Sequence, residues 1–214
     1  MLKQSNRFFV FDLFPSTWFT IVLAACSLPL GLFLPSRWGW ENGPIENIQV
    51  LILAFGLACS LLAAYLSRDD KKIRNLWGYS VLIWLLMIGR ELSWGRVFFE
   101  PVIIGPNGPG FPSIHQIWYG NFVYPLNTLA IIVLLAGVWR NFEPGNLKRS
   151  ISISAIDGLV LIIAATVSQL VFEKELIPEL AFCSQILEEI SELLVYWSLV
   201  SIVLVAGCKN RRSA

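Results

Sequence analysis

The chain has 214 residues, is 56% hydrophobic and only 14% charged, and carries a formal net charge of +1. Soluble domains carry about 25% charged residues. This composition, with a mean hydropathy of +0.64, places the chain in a lipid bilayer, and the near-neutral charge gives no case for nucleic-acid binding.

In chain order, six apolar runs approach the ~20 residues that a helix needs to cross a ~30 Å hydrocarbon core. They are 18–34, 45–66, 76–99, 122–139, 154–172 and 185–207. A transmembrane β-barrel would show segments of ~10 residues with alternating polarity, and no such pattern occurs. The expected fold is therefore all-α, one polytopic transmembrane bundle of six spans over residues 1–214. Ahead of the first span, Phe8, Phe9, Phe11, Leu13 and Phe14 suggest a short stretch lying on the inner leaflet. Leu23-Ala24-Ala25-Cys26 has the look of a lipoprotein cleavage box. The run before it is broken by Asp12 and Pro15 and the residues after it stay apolar, so the segment reads as an uncleaved first helix.

Lysine and arginine set the orientation. From the N-terminal tail to the C-terminal tail, the segments outside the spans hold 2, 1, 4, 1, 3, 1 and 3 of them, counting Arg96 at the edge of the third span with the loop that follows it, so twelve fall on one side and three on the other, with Arg90 inside a span. The positive-inside rule places both termini in the cytoplasm. The inner connections 67–75 and 141–150 read as plain loops. The outer loop 100–121 is longer, and Pro101, Pro106, Gly108, Pro109, Gly110 and Pro112 make it a series of turns. Ser113 is positioned to cap a short turn that follows. Ile114, Ile117, Trp118 and Tyr119 give the segment an apolar underside, so 105–119 is expected to fold back and bring His115 or Gln116 towards the acidic residues below. Of the four cysteines, only Cys183 lies near the outer face; Cys26 and Cys59 are mid-span and Cys208 is at the inner end. No structural disulfide is expected.

The informative residues are charges within the apolar runs. Arg90 and Glu91 lie in the outer part of the third span, and Glu188, Glu189 and Glu192 in the first turns of the sixth. A charge at membrane depth costs roughly 2.5–3.5 kcal/mol on insertion scales and needs a partner or a task. Both groups fall in one layer near the outer boundary. Glu46 and Gln49 start the second span in that layer, Gln169 and Glu173 end the fifth there, and His115 hangs above it. Trp94 follows Arg90 by one helical turn. The candidate polar pocket is thus Arg90, Glu91, Trp94, Glu188, Glu189, Glu192, Glu46 and His115. Three chemistries suit such a set: a proton relay, a divalent-cation site with Glu188 and Glu192 as ligands, and general acid–base work on a lipid-linked substrate. The helix macrodipole supplies a plainer account, since acids favour first turns and bases last turns. Asp157, at the inner start of the fifth span, is accounted for in that way. A single histidine excludes bis-histidine haem ligation within the chain.

The run Gly89-Arg90-Glu91-Leu92-Ser93-Trp94-Gly95-Arg96, followed by an outer loop and an acidic helix start, resembles a group of uncharacterised bacterial multi-pass membrane proteins with an Arg/Glu-Glu-x-Ser-Trp-Gly segment at the end of a span. The resemblance covers about half of the chain. It implies a bacterial inner-membrane location and directs attention to Glu91 and Trp94; no activity comes with it. Three functions stay open: an outer-facing pocket that binds or transports a lipid-linked or small polar ligand, an enzyme on a lipid or lipid-linked substrate at the outer leaflet, and a non-catalytic assembly subunit. Polar residues scarcely continue inward from the cluster, with Ser60, Ser80, Ser198 and Ser201 as the modest exceptions, which counts against transport.

Overall fold

Proline and side-chain caps decide where the helices begin. In the computed structural model, residues 9–105, 108–141 and 153–212 are described, with the side chains of 9, 141 and 208–212 excepted. Helix α1 (Pro15–Phe33) and helix α2 (Pro44–Leu66) both start on a proline, whose missing N–H costs nothing in the first turn. Helix α3 (Lys71–Glu91) is capped by Asp70, whose carboxylate accepts from the N–H groups of Lys72 and Ile73 at 2.9 and 3.1 Å. Helix α4 spans Gly120–Asn141. Helix α5 (Ala155–Val167) is capped by Ser154 and runs on as one π-helical turn over Ser168–Phe172. Helix α6 (Ser184–Arg212) is the longest. Of the connection read above over 141–150, residues 142–150 lie outside the described residues.

Among the described residues, five helical segments are long and apolar enough to cross a membrane: Pro15–Phe33, Ser36–Leu66, Gly120–Arg140, Ala155–Phe172 and Pro178–Gly207. The chain is a multi-pass membrane helical protein. The third expected span differs from its reading in two ways. Its helix starts at Lys71 and ends at Glu91, not at 76 and 99, so it carries Lys71, Lys72, Arg74, Arg90 and Glu91 and is the least apolar of the long helices. It ends early because Ser93, Trp94 and Gly95 turn into the left-handed region, with φ of 46°, 55° and 88°. Apolar composition continues through Phe99, but the backbone does not.

Helix α6 is the axis of the bundle. More than half of its apolar window is buried, against 11–22% for the other four apolar segments, and α1, α2 and α5 all pack on it. Helix α2 also packs along α3. There Trp84 of α3 is buried against Leu53 of α2 and Tyr196 and Val200 of α6, and its indole N–H donates to Ser60 Oγ at 2.8 Å. Gly56 makes this approach possible: a Cβ there would lie 2.7 Å from the Trp84 ring. Helix α4 is peripheral, packing on α3 and on the outer turn before it. Its outward surface, with Trp139 88% exposed, presents apolar side chains to lipid.

Among the described residues, four short strands complete the fold. Strand β1 (Phe9–Val10) pairs in parallel with β4 (Ile153–Ser154), so the segment before α1 is extended and held beside the start of α5. In the loop 100–121, β2 (Ile103–Gly105) and β3 (Gly108–Gly110) form an antiparallel hairpin. A Cβ on Gly108 would fall 2.6 Å from Trp40, so the hairpin rests on the connection between α1 and α2. After it, a 3-10 turn over Ile114–Gln116 buries Ile114 and Ile117 against Val123, with Trp94 and Tyr119 alongside. The apolar underside does dock, but on the start of α4 and the α3 end.

Candidate functional site

One end of the bundle gathers the start of α2, the end of α3 and the start of α6. Glu91 and Glu192 are both buried there. Arg90 Nη2 donates to Glu192 Oε1 at 2.6 Å, and Arg90 Nη1 donates to the Tyr196 hydroxyl at 3.2 Å. Tyr196 in turn donates to Glu91 Oε1 at 2.5 Å. Arg90 Nε lies 3.9 Å from the same oxygen. A guanidinium offers five donors in a planar fork, and here they serve two carboxylates from different helices through one shared phenol. The Arg90 side chain remains 59% exposed while those of Glu91 and Glu192 are 5% and 11% exposed.

The acidic layer extends on the α2 side. Gln49, fully buried on α2, donates its Nε2 to the Glu189 carbonyl and to Glu189 Oε2, both at 2.9 Å. Gln49 Oε1 is buried with no hydrogen-bond partner among the described residues. Glu46 accepts from the Asn42 N–H at 2.6 Å and lies within electrostatic reach of Glu91, Glu41 and Glu192. Glu188 is half-buried and feels both Glu192 and Arg90. Glu91 and Glu192 therefore flank the Arg90 guanidinium, and Glu46 and Glu189 lie within electrostatic reach of both carboxylates. Like charges this close, with little water, do not all stay ionised without a further cation or proton.

A strained turn frames the cluster. Ser93 and Trp94 are non-glycine residues with positive φ, a conformation costing of order 1–3 kcal/mol each and found disproportionately at functional sites. It aims Ser93 Oγ at Glu41 Oε1, 2.8 Å away, with Arg96 Nη2 at 3.5 Å from the same oxygen. Trp94 folds back over Gly89, where a Cβ would meet its ring at 2.4 Å. The Trp94 carbonyl accepts from the Tyr119 hydroxyl at 3.0 Å, which ties the outer loop to this turn.

The structure thus draws Arg90, Glu91 and Glu192 together, sets Glu189 and Glu46 beside them, and places Trp94 in the framing turn. His115 is exposed, with its ring 5.9 Å from that of Tyr124, and Gln116 turns back to accept from the Ser113 N–H. Neither bonds to Glu91 or Glu192, because closing the 3-10 turn consumes Gln116 and directs His115 towards α4. No group of three histidine, cysteine or acidic side chains among the described residues is arranged to hold a metal ion, Glu188 and Glu192 included. Two participants were not singled out in the sequence, Tyr196 and Glu41. Tyr196 follows Glu192 by four residues and so shares its helix face, a signal available beforehand; Glu41 sits in a loop, and nothing local marks it.

No family model, curated protein or solved structure matches the chain.

Proposed function

We propose that the chain is a six-span protein of the bacterial inner membrane, with both termini cytoplasmic, whose outer-facing pocket binds a polar ligand presented at the outer leaflet, lipid-linked or small. The observation that carries this reading is Arg90. It is anchored by Glu192 and Tyr196 in a buried acidic layer, yet more than half of its side chain is open. A purely structural ion pair has no need of an open guanidinium. Here donors remain for an incoming anionic or polar group, while the neighbouring carboxylates receive its cationic part. The orphaned Gln49 Oε1 and the strained Ser93–Trp94 turn support the same reading.

The third span belongs in this proposal although α3 is less apolar than its neighbours. It is 21 residues long, about 31 Å at 1.5 Å per residue, and it packs between α2 and α4, which both cross. Its charges fall at its two ends, where water and headgroups reach them. Reporter fusions after Lys72, Lys148 and Ala214 are expected to read cytoplasmic, and fusions within 107–110 external. An external C-terminus would remove the outer location of the pocket.

The pocket itself is tested by native mass spectrometry of the detergent-purified protein, with the set of co-purifying lipids and polar small molecules compared between wild type and Arg90→Gln. A species retained by wild type and depleted at least tenfold in the variant, which removes both the charge and the five-donor fork, is the expected result. Identical retained species in two equally folded proteins would show that the cluster is a structural ion-pair network.

A further inference from the structure

At the end of the bundle opposite Arg90, α3 and α6 part to leave a cleft of about 210 Å³. Ile73, Leu76, Trp77 and Ser80 line it from α3, and Ile202, Val203 and Ala206 line it from α6. Each set has the spacing of one helix face. No residue of α4 or α5 lines the cleft. Beside Ala206, a Cβ on Gly207 would meet nothing within 4 Å among the described residues. The lining is almost wholly hydrocarbon. Its one hydroxyl, on Ser80, lies 3.0 Å from Ser60 Oγ of α2, which also accepts from the Trp84 indole. That hydroxyl is therefore partnered inside the bundle, and the cleft offers nothing to a polar ligand.

Size and depth narrow the occupant. The volume exceeds the ~150 Å³ of an apolar cavity that takes up benzene, and it falls short of the ~300–1,000 Å³ of pockets for compact drug-sized ligands. A segment of hydrocarbon chain fits between these. Along α3 the cleft runs from Ile73 to Ser80, about 10 Å at 1.5 Å per residue. It begins two residues after the helix start at Lys71. One leaflet contributes about 15 Å of the ~30 Å hydrocarbon core, so a chain entering at this end covers the whole cleft. A lipid anchored at Arg90 does not reach it, because Ser80 is itself about 15 Å away along α3.

Basic side chains frame the mouth. Ile73 lies between Lys72 and Arg74, which are both exposed. Arg74 forms no ion pair among the described residues. Of the two acids just before the helix, Asp70 is occupied as its cap. Asp69 is then set against Lys71, Lys72 and Arg74. Such a segment beside a membrane surface attracts anionic headgroups.

We propose that the α3–α6 cleft binds one acyl chain of an anionic phospholipid from the leaflet opposite the Arg90 pocket, with the headgroup phosphate against Lys72 and Arg74. The site stands apart from the outer pocket and does not rest on what that pocket binds. A neutral lipid shares the chain contacts and lacks the charge contacts, so the two contributions can be separated.

The test is a titration of the full-length, detergent-purified protein with phosphatidylglycerol and with phosphatidylcholine of identical chains, read by native mass spectrometry. Wild type is expected to hold one phosphatidylglycerol at least tenfold more tightly than phosphatidylcholine. Lys72→Gln combined with Arg74→Gln should bring the two lipids to within about threefold of each other. Ala206→Phe, which fills the cleft with a ring, should weaken both at least tenfold. Ile73→Trp, at a half-buried position of the mouth, serves if Ala206→Phe fails to fold. Equal binding of the two lipids by wild type, a preference that survives loss of both charges, or binding indifferent to filling of the cleft would overturn the proposal. So would a wild-type dimer that filling disperses, since the cleft would then seat a second copy of the chain.

Discussion

Replacement of Trp84 by alanine is expected to lower the unfolding free energy by about 3–5 kcal/mol, the range for deleting a large buried aromatic side chain. Trp84 is 3% exposed and fills the junction where α2, α3 and α6 meet. Its loss opens a cavity that Gly56 cannot fill, and it leaves Ser60 Oγ without the indole donor. Tyr196 belongs to the same cluster, so the phenol linking Arg90 to Glu91 loses part of its seat, and binding at the outer pocket should weaken along with stability. Trp139→Ala is the control, because Trp139 is exposed on α4 and packs little. Unfolding in mixed micelles of mild detergent and increasing dodecyl sulfate would check the pair. Equal midpoints for the two variants would mean that the α2–α3–α6 junction does not carry the bundle.

Arg90→Ala should have the next largest effect, about 1–3 kcal/mol, the cost of leaving a buried hydrogen-bonding group without its partner. The value sits below that for breaking a fully buried ion pair, about 3–5 kcal/mol, because Arg90 is itself 59% exposed. The variant loses the guanidinium that serves both Glu91 and Glu192, and Glu189 and Glu46 crowd the same space. The defect is therefore expected to be large at neutral pH and to shrink in acid, where the carboxylates take up protons and their repulsion disappears. Paired with Glu192→Gln in a double-mutant cycle, the two changes should be non-additive by at least 0.5 kcal/mol. Additive effects, or a defect indifferent to pH, would show that the 2.6 Å contact contributes nothing beyond its geometry.

Much of the fold was legible in the sequence because a bilayer reduces the choice of structure. Backbone groups in hydrocarbon must bond within the segment, so apolar length alone locates α1, α2, α4, α5 and α6 to within a few residues. That Arg90, Glu91 and Glu192 fall at one end of the bundle could be read in the same way, by counting residues from the ends of the runs. The end of α3 could not. Residues Ser93–Phe99 are apolar enough to continue a span, and the left-handed turn at Ser93, Trp94 and Gly95 is held by Trp94 packing over Gly89 and by Tyr119, 25 residues on, which donates to its carbonyl.

Side-chain partnership was likewise a tertiary matter. The sequence by itself determined a membrane bundle and one layer where acids accumulate. Only the tertiary structure decided that Tyr196 joins Glu91 to Arg90, that Ser93 reaches Glu41, that His115 turns towards Tyr124, and that Asp157 is enclosed by hydroxyls from α1 and α6. Helical periodicity assigns a residue to a face and a depth, but the identity of the facing helix depends on how the bundle is arranged. Serine and threonine within apolar helices carry no distinguishing local signal, since each can bond its own backbone one turn back. Thr17 and Thr20 became informative once α5 brought a carboxylate between them.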